Sequence, residues 1–200
     1  MAGRLQITDD SYLRLLEEAD ARELHGLIEA NRAYLAHWLP WAAGQTFEDT
    51  LGFIRGTQSQ ASENEGFQAA MVTGKDIIGV IGYVSLDRGN RSTRVGYWLD
   101  EGQQGRGTMT AAVRLLVDHA LTVWRLNRIE IAVATENRRS RAIPERLGFR
   151  EEGTLRQFQL VNGRYLDCAS YSMLAEDWSA AASRSSTRSR SGCSPQRSQP

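Results

Sequence analysis

The segment QQGRGTMT, residues 103–110, joins a strand-like run, VGYWLD, to a helix-like run, AAVRLLVDHALTVW. Its composition suits an anion. A loop that opens a helix presents free backbone N–H groups at the positive end of the helix dipole. Gly105 and Gly107 put no Cβ between the backbone and a ligand, Arg106 adds a fixed charge, and the segment holds no acid. A pyrophosphate fits such a loop, although a plain strand-to-helix turn has the same look. Two other phosphate loops are excluded. There is no G-x-x-x-x-G-K-[ST], and Lys75, the single lysine, lies far away. The dinucleotide fingerprint needs three glycines and a strand that opens a βαβ unit; GRGTMT has two, and its strand follows a meander. His25, His37 and His119 have no metal-like spacing, so no metal is expected. Cys168 lies in a strand-like run and reads as a core residue, and with Cys193 it makes no disulfide framework.

The elements that would hold this loop follow from periodicity. Ser11–Leu16 reads as a strand. The next stretch has apolar residues at Leu24, Leu27, Ile28 and Leu35, a helical spacing that Pro40 ends. Thr46 with Asp49 three residues on marks a second helix start, followed by Leu51 and Ile54. Three strands follow at Gly66–Thr73, Ile77–Leu86 and Ser92–Leu99, with turns at Gly74-Lys75 and Asp87–Asn90. The helix after the loop gathers Val113, Leu116, Val117, Ala120 and Trp124 on one face. Arg128–Ala134 alternates as a strand, and a strand–helix–strand unit of this length favours parallel pairing. SRAIPERLGF reads as a short helix with Ser140 as N-cap, Pro144 near the fourth position and Gly148 as its stop. Asn162-Gly163 centres a closing hairpin. The order β-α-α-β-β-β-α-β-α-β-β implies an α+β layered domain, a mixed and mostly antiparallel sheet with helices on both faces.

The chain of 200 residues, 41% apolar with five Trp, six Tyr and five Phe, is enough for one domain with a real core. Net charge is zero, but the final 18 residues carry four arginines and no acid. The remainder has 20 basic and 24 acidic residues, a net of −4. A mildly acidic domain disfavours nucleic acid as a partner and suits a cationic one. Residues 1–178 are expected to form the domain and 179–200 a disordered Ser/Arg-rich tail. No apolar run resembles a leader or a membrane span, so a cytoplasmic protein is expected.

Taken together, GYWLDEGQQGRGTMTAAVRLL, NRIEIAVATENRRSRAIPERLGFREEG, YSMLAEDW and the early NRAYLAHWLPW resemble the Gcn5-related N-acetyltransferases. The branch they look most like is the RimJ/RimL type, which modifies N-termini of ribosomal proteins. The resemblance spans Ser11 to Trp178. It implies that acetyl-CoA is the co-substrate and that the loop holds its pyrophosphate. The family pattern is Q/R-x-x-G-x-G/A. Gln104 and Gly107 match it, while Met109 stands where Gly or Ala is usual. By the same resemblance Leu99 offers backbone groups to the pantetheine arm, residues Gln104, Gly105, Arg106, Gly107, Thr108 and Met109 face the phosphates, and Asn137 hydrogen-bonds the pantetheine. The broader family often has a tyrosine acid where this chain has Pro144. In the RimL-type branch a serine at the place of Ser140 is taken to replace it, and an N-cap role for Ser140 stands beside that reading.

The implied reaction is direct acetyl transfer to a primary amine in a ternary complex, most simply a protein N-terminal α-amine. Alternatives are a small amine such as an aminoglycoside or polyamine, and a non-catalytic acetyl-CoA-binding module. Candidate bases are Glu101, Glu130 and Asp167. Trp38 and Trp41 either line the acceptor cleft or pack between the first two helices. The final strands offer an edge for pairing between subunits, so a homo-oligomer is among the expectations.

Overall fold

The computed structural model describes residues 3–180. Eight strands form one sheet: β1 (Leu5–Gln6), β2 (Ser11–Leu15), β3 (Gln68–Thr73), β4 (Asp76–Asp87), β5 (Ser92–Leu99), β6 (Arg128–Ala134), β7 (Arg150–Val161) and β8 (Arg164–Leu174). Four helices accompany them: α1 (Ala21–Leu35), α2 (Phe47–Ser62), α3 (Thr108–Asp118) and α4 (Arg138–Arg146). Apart from the two-residue β1, the order is the one read from the sequence. Spatially the strands run β1-β2-β3-β4-β5-β6-β8-β7. All neighbours are antiparallel except β5 and β6, which the α3 crossover makes parallel.

Local signals explain the element ends. Thr46 and Asp49 form a reciprocal capping box at the start of α2, each side chain accepting from the other's backbone N–H. Asn162 (φ 48°) and Gly163 (φ 76°) both adopt the left-handed conformation that a tight two-residue hairpin requires. The α3 ladder does not end cleanly. It passes into a π-helical turn at His119–Val123, where Trp124 folds back on an aromatic cluster with Phe67, Tyr83 and His119.

Both sheet faces are covered, unequally. α1 and α2 pack Leu24, Ile28 and Ile54 on Ala70, Val72 and Val80 of the β3–β4 half. α3 sets Val113, Leu116 and Val117 against Ile81, Val95, Ile129 and Ile131 on the opposite face. Each fully enclosed Leu or Ile contributes about 1.5–3 kcal/mol relative to exposure. A helical turn at 175–180 closes this second core: Trp178 is buried, and its indole N–H donates to Asp118 Oδ1 at 2.6 Å. The chain is thus still helical at Ser179 and Ala180, past the expected domain end; the rest of the expected tail lies outside the described residues. β7 forms the sheet edge and is exposed along nearly its whole length.

Candidate active site

β5 and β6 pair at only three positions, Ser92–Arg94 with Arg128–Glu130. Beyond Arg94 the strands part, and the facing edges of residues 95–99 and 131–134 have no strand between them. A bulge in β4 sits opposite this point: the register with β5 shifts between Tyr83 (paired with Val95) and Ser85 (paired with Arg94). A bulge bends its strand and sharpens the twist, so β5 is turned away from β6 where its pairing stops. The result is a cleft of about 1030 Å³ that runs through the sheet.

The glycine-rich loop closes one end of the cleft. Gly107 is the N-cap of α3 at φ 81°, and Gly105 has φ 78°. A Cβ at either would meet nothing within 4 Å. These glycines are therefore required for their left-handed backbone rather than for room. With glycine as cap, no side chain satisfies the first-turn N–H groups of α3, which are left for a ligand. Met109 turns its side chain into the core and is only 6% exposed, so its departure from the loop pattern does not obstruct the cleft. Arg106, Arg114, Arg139 and Arg146 line the same region. Arg139 also donates to Gln104 Oε1 at 2.9 Å, tying the loop to α4. From the other side, Asn31 of α1 accepts the Glu101 N–H at 2.9 Å.

α4 forms the second wall. Its N-cap is Asn137, whose Oδ1 accepts the Ser140 N–H at 3.1 Å. The expectation that Ser140 caps this helix is therefore corrected: both residue types cap well, but the helix begins three residues earlier. Ser140 stands in the first turn with its hydroxyl free of capping duty. Pro144 lies at the seventh helical position, not near the fourth. Ser140 Oγ lies 3.3 Å from the Tyr97 hydroxyl, and that hydroxyl donates to the Ser140 carbonyl at 3.2 Å. Tyr97 was not singled out by its sequence setting. The enclosure of its hydroxyl holds its pKa well above that of an ordinary tyrosine.

The other candidates separate. Leu99, Glu101, Gln104, Gly105, Arg106, Gly107, Thr108, Met109, Asn137, Ser140 and Trp38 all line the cleft. Glu130 does not line it. Its carboxylate is engaged by Arg94 at 3.4 Å and Arg128 at 2.8 Å, beside the three-residue pairing and not beyond it. Asp167 is also outside, accepting the Gln157 N–H at 2.8 Å. Trp41 is not in the cleft lining either; it is 37% exposed and lies near Trp98, ring centres 6.1 Å apart. Neither Trp38 nor Trp41 joins the core between α1 and α2. Trp38 packs on the small cluster of Ala134, Val161, Leu166 and Cys168. Gln159, also missed from sequence, reaches the cleft from β7. The hairpin carrying it is latched to α1, since Asn162 Nδ2 donates to the Ala36 carbonyl at 2.8 Å. Cys168 is buried, and burial raises its thiol pKa, so it is a core residue and a poor nucleophile. Among the described residues no cluster of His, Cys, Asp and Glu could hold a metal, and no helix is long and apolar enough to cross a membrane.

A parallel strand pair that splays over a glycine-capped helix start defines a fold and a site of the acetyltransferase class, and the chain belongs to the acetyltransferase (GNAT) domain family, which matches residues 11–150. It is similar to the putative ribosomal N-acetyltransferase YdaF of Bacillus subtilis (strain 168), with 36% identity over 175 residues, 86% of this chain and 96% of that one. Among solved structures it resembles the microcin C7 self-immunity acetyltransferase MccE in complex with acetyl-CoA and AMP (TM-score 0.83, 25% identity, 87% of this chain and 97% of that one). It equally resembles RimL, a ribosomal L7/L12 alpha-N-protein acetyltransferase, in complex with coenzyme A (TM-score 0.83, 25% identity, 88% and 99%). The protein is an N-acetyltransferase with acetyl-CoA as its co-substrate.

Proposed function

We propose that the protein acetylates the α-amino group of a protein N-terminus, ribosomal proteins being the favoured acceptors, by direct attack in a ternary complex. The observation that carries this reading is the make-up of the cleft. Among the described residues that line it the one carboxylate is Glu101, against Arg106, Arg114, Arg139 and Arg146, and Tyr34, Trp38, Trp98 and Gln159 line it as well. A polyamine or aminoglycoside brings several cationic groups and calls for several acids. A peptide terminus brings one amine and a backbone, which aromatic walls and an amide can hold. The likeness to YdaF, a putative ribosomal N-acetyltransferase, supports a ribosomal acceptor, and the likeness to RimL, a ribosomal L7/L12 alpha-N-protein acetyltransferase, supports the α-amine as well.

Chemically, the unpaired edge of β5 from Val95 to Leu99 offers backbone N–H groups to the thioester carbonyl, where charge builds as the amine attacks. The uncapped start of α3 and Arg106 take the pyrophosphate, and Asn137 and Leu99 flank the pantetheine arm. Holding both reactants supplies a large part of the acceleration. Ser140 donates a hydrogen bond to sulfur as the C–S bond breaks. A thiol of ordinary pKa, about 8.5, leaves as thiolate without full protonation. Glu101 is the candidate base that borders the cleft. An α-amine with a pKa of about 7.7–8.0 is already partly neutral near pH 7, so a base acting through water is enough. A lysine amine at about 10.4 would demand more.

The test is thioester turnover against a panel: peptides with free N-termini, the same peptides N-acetylated but carrying lysine, spermidine, and an aminoglycoside. The α-amine peptides should show kcat/KM about tenfold or more above the rest. Preference for spermidine or the aminoglycoside would overturn the acceptor assignment. Acetyl-CoA binding with no turnover on any acceptor would point to a binding module instead.

A further inference from the structure

Pro144 sits inside α4 and has no N–H, so the carbonyl of Ser140, four residues earlier, lacks its helical donor. A part-buried carbonyl left in that state is costly. The partner comes from across the cleft: Tyr97, 43 residues away on β5, donates its hydroxyl proton to this carbonyl at 3.2 Å. The same hydroxyl oxygen lies 3.3 Å from Ser140 Oγ. A phenol has one proton and accepts as well. With that proton on the carbonyl, Tyr97 can only accept from Ser140 Oγ, which points the serine proton at Tyr97.

Resting on the reading of Ser140 as the donor to the departing thiolate, we propose that Tyr97 is the positioning residue that holds the Ser140 hydroxyl ready and then backs it. As the C–S bond breaks, Ser140 Oγ–H swings to the sulfur, which brings a lone pair of Ser140 Oγ round to face Tyr97, and the Tyr97 O–H turns from the carbonyl to that lone pair. No proton need change oxygen. The proton lost by the amine goes to solvent, and the two hydroxyls form a chain of hydrogen bonds ending on the thiolate, each strengthening the next. The enclosure that disfavours tyrosinate suits this role, because Tyr97 must remain a donor throughout. Pro144 thereby has a part in the site. It supplies the resting acceptor that keeps the tyrosine proton off Ser140 Oγ until the sulfur claims the serine.

A double-mutant cycle tests this in the full-length chain. Tyr97→Phe should lower kcat about five- to tenfold with KM for acetyl-CoA within about twofold, and Ser140→Ala should lower kcat by about tenfold or more. In the Ser140→Ala background, Tyr97→Phe should cost less than about twofold, since its partner is gone. The same factor in both backgrounds, or a loss carried by KM, would overturn the role of Tyr97 while leaving Ser140 in place. Full kcat in Ser140→Ala would overturn the Ser140 reading and this inference with it. A second pair separates support of the helix from support of the reaction. Pro144→Ala returns an N–H to the Ser140 carbonyl, so Tyr97→Phe in that background should melt at the temperature of Pro144→Ala alone yet keep its lowered kcat. Recovery of kcat together with stability would show that Tyr97 merely props α4.

Discussion

Replacing Gly107 by valine separates what the loop does for the fold from what it does for the ligand. Gly107 caps α3 at φ 81° and ψ −8°, and a Cβ built there meets nothing within 4 Å. The cost to the unliganded protein is therefore conformational and not steric. An L-residue in the left-handed region costs about 1–2 kcal/mol, with a β-branched residue at the upper end. For a domain of this size that lowers Tm by about 2–8 °C. The ligand pays differently. If the backbone relaxes away from the left-handed well, the first-turn N–H groups of α3 lose their common aim. Hydrogen bonds to a charged group contribute about 1.5–3 kcal/mol each, so losing two should weaken acetyl-CoA binding by more than 100-fold. Calorimetric titration with acetyl-CoA and thermal melting of the same samples measure both effects. The expected outcome is a folded protein with no measurable binding at micromolar ligand. Wild-type affinity in a folded Gly107→Val protein would refute the assignment of the loop to the pyrophosphate.

Three further outcomes follow from the geometry. Tyr83→Phe leaves the Leu116 carbonyl, which accepts the fully buried tyrosine hydroxyl at 2.7 Å, without that partner; it should cost about 1–3 kcal/mol in denaturant unfolding without changing KM for acetyl-CoA. Asn137→Ala removes the cap of α4 and should cost about 0.5–2 kcal/mol, with a rise in KM for acetyl-CoA that Asn137→Asp, which also caps, largely reverses only if capping and not the amide's contact with pantetheine is its function. On acidification the folded state should weaken in two stages. His119 has its pKa lowered, chiefly by burial, and its Nε2 has no partner, so the unfolded chain binds its proton first and stability falls as pH drops below about 6.5. Glu152, lowered to about 2 by hydrogen bonds from Arg128 and Ser172, adds stability that is complete above its ordinary pKa and lost as pH falls toward 2. Urea titrations from pH 8 to pH 3 should show both stages, and His119→Gln should flatten the first.

The sequence was most informative where a signal is local. Asn162-Gly163, the Thr46–Asp49 box and the parallel setting of Ser92–Leu99 with Arg128–Ala134 each depend on residues within one turn or one crossover, and each appears in the structure. The start of α4 is not legible in the sequence because Asn137 and Ser140 are both good caps, and only the hydrogen bond from the Ser140 N–H to Asn137 decides between them. Period-two alternation sets Glu130 off the face of Ile129 and Ile131. Whether that face meets the cleft depends on where β5 leaves β6, which the distant bulge near Val84 governs. A hairpin signal likewise does not say which of its strands joins β6, and it is β8 that does. The glycines of the loop were legible as glycines, but not as residues held by φ in open space. Tyr97 had no local signature at all: its role exists only because Pro144 frees a carbonyl 43 residues further along the chain and the fold sets it against β5.

The central claim is that acetyl-CoA enters between the parting strands, with its pyrophosphate at the start of α3. Amide hydrogen exchange with and without acetyl-CoA tests it most directly. Acetyl-CoA should slow exchange at the unpaired edge of β5, residues 95–99, and at residues 105–110, with the exposed outer edge of β7 unchanged. Protection confined to other segments, with residues 95–99 and 105–110 exchanging as in the free protein, would contradict it.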